Sequence, residues 1–355
     1  MGFMLSFGIP ALVIASVWIG PMIGYPNLLA CLPLVIGYVC VPIFQALWPR
    51  EPFQVPPAAA ASPRWNAYYR VLPLLTVPAQ LAMLAVATTG FAAAPFNLFG
   101  HIALLIATGV FSAMFAITVA HELIHRRQRF DRACGGILLS TVSFGTFKLV
   151  HLQVHHPYVG TSLDFATARR GQSIYSFWLQ SFAGNFREAL RCERSRLERS
   201  GKSVWSSELI VWYGLTIVWL AIAVAWHGWI GGAFFIAQGV IAVMYLDCIN
   251  YLQHYGLTRG MVAPGRPEPI QDHHSWTQGL YLDDLLLFNL PRHAHHHTQP
   301  QRSYQLLKDS EHAPRYPFNY GVMTMVLLVP PLFRRIVHPR LDRFEASHGR
   351  AAVAV

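Results

Sequence analysis

Apolar residues along this chain gather into six runs of bilayer length, since a hydrocarbon core about 30 Å thick needs roughly 20 apolar residues per helix. The runs fall into three pairs. Residues 4–24 and 28–48 are parted only by Tyr25-Pro26-Asn27, which predicts a tight helical hairpin. Residues 71–94 and 102–120 are joined by the uncharged link from Pro95 to His101, and residues 209–226 and 229–246 by His227-Gly228. None of these links holds a Lys or Arg, whereas the segments 49–70, 126–207 and 255–355 carry the positive charge. The positive-inside rule then puts residues 49–70, 121–208 and 254–355, with both termini, on the cytoplasmic side.

Two further apolar runs are too short or too interrupted to read as spans: Cys134 to Val150, broken by Lys148, and Gly321 to Phe333, with Pro330-Pro331. Both are expected at the interface or buried in the cytoplasmic layer. The stretch from Pro56 to Pro63 reads as a short connector. The first run has no basic residue ahead of it and exceeds a signal-peptide h-region, so it is expected to be an anchor. No internal repeat is evident, and residues 1–355 are expected to form one integral-membrane domain.

Composition agrees with this pattern. The 355 residues are 54% hydrophobic and 12% charged, against roughly 25% charged in soluble domains, and the mean hydropathy is +0.35. A soluble enzyme is excluded, as are disorder and collagen-like repeats. The net charge of +10 is better read as positive-inside marking than as a nucleic-acid surface. Five cysteines stand singly, without a C-x-x-C pair, so no disulfide framework, zinc ribbon, rubredoxin or iron-sulfur site is encoded. Electrons for any redox chemistry must come from another protein.

The chemistry lies in the histidines. Ten of the seventeen fall into four compact groups: His121-Glu122-Leu123-Ile124-His125, His151-Leu152-Gln153-Val154-His155-His156, Asn250 to Gly256 around His254, and Arg292-His293-Ala294-His295-His296-His297. An i, i+4 spacing sets two imidazoles on one helical face, and all four groups fall at cytoplasmic helix ends or in cytoplasmic segments. A full crossing between His121 and His151 would part them by about 30 Å, so the run Cys134 to Val150 is expected not to cross. Nine or ten imidazoles are too many for one ion of four to six coordination, so two metal ions are implied. Imidazole alone leaves zinc, copper, iron and nickel open. A catalytic zinc needs only three protein ligands, so two redox iron ions fit the surplus better. His121 to His125 alone is the HExxH zincin motif with Glu122 as general base, but that reading leaves most of the other histidines without a purpose.

The order and spacing of these groups resemble the membrane-bound alkane monooxygenases. These AlkB-type hydroxylases include the xylene monooxygenase hydroxylase component, within the membrane fatty-acid desaturase-like superfamily. Flanking residues agree: Asp131-Arg132, Asp164, Gly171 to Tyr175, His274-Ser275-Trp276 and Tyr304-Gln305-Leu306. The Tyr-Gly of the third group separates this family from desaturases. The resemblance implies an all-α fold with six transmembrane helices and a cytoplasmic histidine-rich diiron cap in a bacterial inner membrane. It also implies O2 activation with electrons from a separate rubredoxin or ferredoxin and its reductase, hydroxylating a terminal or methyl carbon of a hydrophobic substrate. The ligands it implies are His121, His125, His151, His155, His156, His254, His293, His296 and His297; His295 falls on a variable position. An acyl desaturase is the alternative enzyme, distinguished by an alkene product, and a metal or haem carrier the non-enzymatic one.

Two positions depart from the family pattern. Val150 and Gln253 stand where glutamate often precedes a histidine, and such carboxylates orient imidazoles from behind. This points to a different substrate subgroup or a retuned metal. Glu122, Asp164, Asp247, Asp283 and Asp284 are other carboxylates suited to that orienting role, and Asn250 and Asn289 are further candidates. Asp247 is telling, because an ionisable group near the end of a membrane helix is costly and usually functional. The arginines 126, 127, 129, 132, 169 and 170 form a basic surface suited to docking an acidic electron donor.

Overall fold

The computed structural model describes residues 2–47, 54–56 and 62–348. The end of the second apolar run at Trp48, most of the Pro56 to Pro63 connector and the last seven residues lie outside them. Four long apolar helices come first: α1 (Gly2–Met22), α2 (Pro26–Leu47), α3 (Pro63–Ala93) and α4 (Leu98–Ile124). Three helices of the polar layer follow. These are α5 (Arg129–Ser140), α6 (Phe147–Val150, His151–His155 and His156–Tyr158 in succession) and α7 (Ile174–Ser200). The fifth long apolar helix is α8 (Glu208–His254). A small hairpin pairs β1 (Met261–Ala263) with β2 (Arg266–Pro267). The C-terminal layer adds α9 (Tyr281–Leu286), α10 (His293–Thr298), α11 (Tyr320–Leu327) and α12 (Pro330–His348).

Five of these helices, α1 to α4 and α8, are long and apolar enough to cross a membrane. The sequence pattern predicts two helices where α8 stands. A straight 47-residue helix would extend about 70 Å, but α8 has non-helical angles at His227 (φ −132°, ψ 19°) and Gly228 (φ 62°, ψ −158°), and it doubles back there. Gly228 takes a conformation open to glycine alone. Trp219 Nε1 donates to Ser140 Oγ (3.0 Å) and Gln238 Nε2 donates to the Thr141 carbonyl (2.9 Å). Residues so far apart on a straight helix would be about 28 Å apart, yet they reach neighbouring positions. At the reversal the two arms touch: a methyl on Gly232 would lie 2.6 Å from Val224 and 3.4 Å from Leu220.

The short turns lie together at one end of the bundle. Asn97 N donates to Asn27 Oδ1 (2.8 Å), and Thr89 Oγ1 meets His227 Nε2 (3.0 Å). The histidine groups lie at the other end, where α4 and α8 finish. Helix α4 is the most enclosed span, and its Gly109 allows α8 to close in, since a methyl there would lie 2.6 Å from Ile241. Such small residues permit close helix contact in lipid. Met22, Leu28, Ile217 and Trp229 remain outward and exposed, an apolar belt that a bilayer would cover. The run Cys134 to Val150 does not cross: α5 ends at Ser140, the chain turns through Ser143 (φ 58°) and α6 returns. His121 and His151 rings thereby come within 4.5 Å of each other.

Candidate metal centre

Four helices deliver nine histidines to the end of the bundle, and the imidazoles part into two groups. His121 of α4 and His125, the residue that caps it, join His151 and His156 of α6 and His296 of α10. His155 of α6 joins His254 of α8 and His293 and His297 of α10. Within each group the ring nitrogens lie within 4.8 Å of one another.

Local backbone geometry makes this division. An i, i+4 reading puts His151 and His155 on one face, but the chain forms a π-helical turn over His151–His155. A π turn closes i to i+5, so His151 and His156 share a face and His155 swings to the other group. Helix α10 performs the complementary task. His293 and His297, one α-helical turn apart, face one group while His296 faces the other. His295 joins neither; its Nδ1 accepts from Lys308 N (3.3 Å).

The donor set fits a pair of metal ions. Burial holds the imidazoles of His151, His156, His293, His296 and His297 well below their ordinary pKa, with neighbouring histidines adding to the effect. Burial likewise lowers His125 to about 3. These rings are neutral, the form that binds metal. The Nε2 atoms of His121, His125 and His155 are buried without a hydrogen-bond partner. His156 Nε2 stands 2.9 Å from His151 Nε2 and 3.2 Å from His296 Nε2, and His293 Nε2 stands 3.1 Å from His254 Nε2 and 2.9 Å from His297 Nε2. A metal–nitrogen bond of about 2.1 Å sets ligands at right angles about 3.0 Å apart, which matches this spacing. A neutral imidazole has one N–H to give, so a cation suits converging nitrogens of this kind by taking up the lone pairs that hydrogen bonds between them leave.

Of the seven carboxylates and asparagines expected to orient ligands, Asp164 bonds a histidine of these groups: His155 Nδ1 lies 3.0 Å from Asp164 Oδ2. That oxygen also accepts from Thr167 Oγ1 (2.7 Å), and Oδ1 accepts from Ala166 N (3.0 Å). Asp164→Asn is expected to weaken metal binding at the four-histidine site by about 10- to 100-fold while sparing the five-histidine site; a titration with competing chelator reads both. Glu122 is held by Arg126 Nε (3.2 Å), away from the base position a zincin needs. Asp247 accepts from Ser181 Oγ (2.8 Å), and with Asn250 it lines a cavity of about 10 Å³ behind His151 and His155, room for one water. Asn289 Nδ2 donates to the Tyr304 carbonyl (2.8 Å).

Asp284 acts through a residue that motif reading passed over. Its Oδ2 accepts from Arg292 Nε (3.0 Å) and Nη2 (2.8 Å), and both side chains are almost fully buried. Arg292 also donates through Nη1 to the Leu307 carbonyl (2.5 Å). This pair pins the start of α10 and so the three histidines that follow. The sequence signal was an arginine directly ahead of a histidine group, with a double aspartate one short helix upstream.

Two larger cavities lie near the histidine groups. An apolar cavity of about 140 Å³ runs between α1, α2, α4 and α8, and among its lining residues are Leu12, Ile36, Phe111 and Met114. It ends at Thr118, one turn from His121, and at Gln253 and Pro291, beside His254 and His293. A wider polar vestibule of about 640 Å³ opens on His125 and His156 and is lined by Arg126, Arg127, Arg129, Arg132 and Lys148. Arg170 of the expected basic surface is engaged with Asp342 and Glu345 instead.

A bundle of lipid-length helices that gathers buried imidazoles beside an apolar cavity is suited to metal chemistry on a hydrophobic molecule. The fatty acid desaturase family model matches residues 95–326. Alkane 1-monooxygenase 2 of Pseudomonas aeruginosa is 36% identical over 330 residues, 91% of this chain and 87% of its own length. An alkane 1-monooxygenase of Pseudomonas putida is 34% identical over 335 residues (94% and 83%). The xylene/toluene monooxygenase hydroxylase component XylM of Pseudomonas putida is 30% identical over 250 residues (69% and 66%). The chain belongs to the membrane-bound alkane monooxygenase family and is an oxidoreductase of that monooxygenase class.

Proposed function

We propose that this chain is the hydroxylase component of a two-iron system that inserts one oxygen atom from O2 into a terminal or methyl carbon of a hydrophobic substrate, a linear alkane or an alkyl arene. The carrying observation is the meeting of two histidine groups, of five and four imidazoles, close along the chain to Thr118, Gln253 and Pro291, which line an apolar cavity. His121, His125, His151, His156 and His296 would hold one iron, and His155, His254, His293 and His297 the other. When bound, the irons supply the oxidising power that an unactivated C–H bond demands.

The protein's own part is position and exclusion. Apolar walls strip the substrate of water and align a methyl group with the histidine end, and Asp164 keeps His155 in the tautomer that points Nε2 inward. No general acid or base is required at a C–H bond that offers none. Electrons would come from a rubredoxin or ferredoxin with its reductase, and the arginine-lined vestibule at His125 and His156 suits an acidic partner.

We also assign six crossings in one domain, counting the two arms of α8 separately, with the histidine end and both termini on the cytoplasmic face of a bacterial inner membrane. The confinement of Lys and Arg to segments at that end supports the orientation. Purified chain supplied with donor, reductase, 18O2 and either octane or p-xylene is expected to yield a primary or benzylic alcohol carrying one 18O atom. An alkene without label would mark a desaturase and overturn this function.

A further inference from the structure

The apolar cavity has one polar end. Asp283 and Gln253, 6% and 2% exposed, both line it, and Asp283 Oδ2 and Gln253 Nε2 are buried without a hydrogen-bond partner. Behind them stands a built support: Gln45 interacts with Asp283 and accepts from Asn319 Nδ2 (2.7 Å). The arrangement thus offers an unpartnered acceptor and an unpartnered donor to a largely apolar space, whose other polar lining groups are in part engaged within the protein, Tyr38 with Tyr245 and Tyr320 with Gln253. Buried polar groups in proteins are almost always satisfied, and a bare hydrocarbon in this cavity satisfies neither atom. A hydroxyl satisfies both, donating to the carboxylate and accepting from the amide. A glutamate at position 253 would offer the cavity a second carboxylate, whereas the amide supplies a donor.

We infer that Asp283 and Gln253 form a hydroxyl-binding end of the cavity, next to the histidines. This rests on the apolar cavity being the substrate site. The hydroxyl has two possible sources: a substrate that already carries one near the carbon to be oxidised, or the alcohol that the reaction forms. Asp283 and Gln253 are positioning residues in either case, since they hold the oxygen and leave the oxidation to the metal centre.

The test is competitive binding of octane and 1-octanol to the purified full-length chain in lipid nanodiscs, against radiolabelled octane. Membrane partitioning differs between the two probes but is the same for every variant, so the alcohol-to-hydrocarbon affinity ratio of each variant is compared with that of the parent. Asp283→Leu and Gln253→Leu are each expected to lower the ratio by about tenfold, the loss of one or two hydrogen bonds to a buried polar group. Gly8→Leu serves as the cavity control, because Gly8 lines the same space and a methyl there meets nothing within 4 Å; it is expected to weaken both probes together. An unchanged ratio in both polar variants, with Gly8→Leu responding, overturns the hydroxyl site alone. No response to Gly8→Leu removes the cavity from substrate binding, and the hydroxyl site with it. Kinetics then assign the source: a tenfold fall in kcat/KM for 1-octanol in Asp283→Leu marks a hydroxylated substrate, and a tenfold weaker inhibition of octane turnover by 1-octanol marks the product. Both support the site.

Discussion

Replacing His254 by alanine is expected to halve the bound metal, from two ions per chain to about one, and to reduce turnover below about one-hundredth of the parent value. The reasoning is coordination arithmetic. His254 belongs to the four-histidine group with His155, His293 and His297, and its loss leaves three imidazoles, one of them steadied by Asp164. Removing a partner that only orients a ligand already costs 10- to 100-fold in affinity or activity, so removing the ligand costs more. The five-histidine group shares no imidazole with the first, so its ion should stay. His296→Ala is the mirror experiment, emptying the five-histidine group first. His295→Ala, from the same short helix, should keep both ions and activity within several-fold, because His295 faces neither group. Metal analysis of the three variants checks the division; parallel loss of both ions in every variant would mean a single coupled cluster.

The second large effect is expected from a residue that touches no metal. Arg292→Ala should destabilise the protein by about 3–5 kcal/mol and strip metal from both sites. The alanine leaves the buried Asp284 carboxylate uncompensated and frees the Leu307 carbonyl, and it releases the start of α10, which supplies His293, His296 and His297. Burial pushes the Asp284 carboxyl up to about 7, against the opposing pull of the Arg292 guanidinium, so this carboxylate depends on its partner to stay charged. The double replacement Arg292→Leu with Asp284→Leu should recover most of the stability, since a matched apolar pair is often neutral where a buried charge left alone is not. Denaturation midpoints of the single and double variants in detergent, with metal content alongside, provide the comparison. A single variant as stable as the parent would remove the pair from its anchoring role.

Much of this architecture can be read from spacing, because lipid imposes its own thickness on the chain. The uncharged links near Asn27, Asn97 and His227 cluster at one end, as their lack of Lys and Arg implies, and the run around Leu138 turns back without crossing. The chain breaks from helical angles at His227–Gly228, the link at which the pattern parts two helices, and α8 reverses there as two arms. The site was legible in composition but not in partition. Spacing arguments assume 3.6 residues per turn, and the π turn at His151–His155 breaks that assumption, sending His155 away from His151. Asp164, Asp283 and Asp284 were one list of carboxylates in the sequence, yet they face a histidine, an apolar cavity and an arginine. Contacts of that kind join segments far apart in the chain, and local pattern holds no record of them. The same is true of the cavity, whose walls come from α1, α2, α4, α8 and the C-terminal layer.

The most direct test of the central claim is metal analysis of purified chain that is turning over substrate with O2 and reductant. Two iron ions per chain, with substrate consumption that stops on their removal and returns on their restoration, is the expected result. One ion per chain, or stoichiometric zinc in active protein, would contradict it.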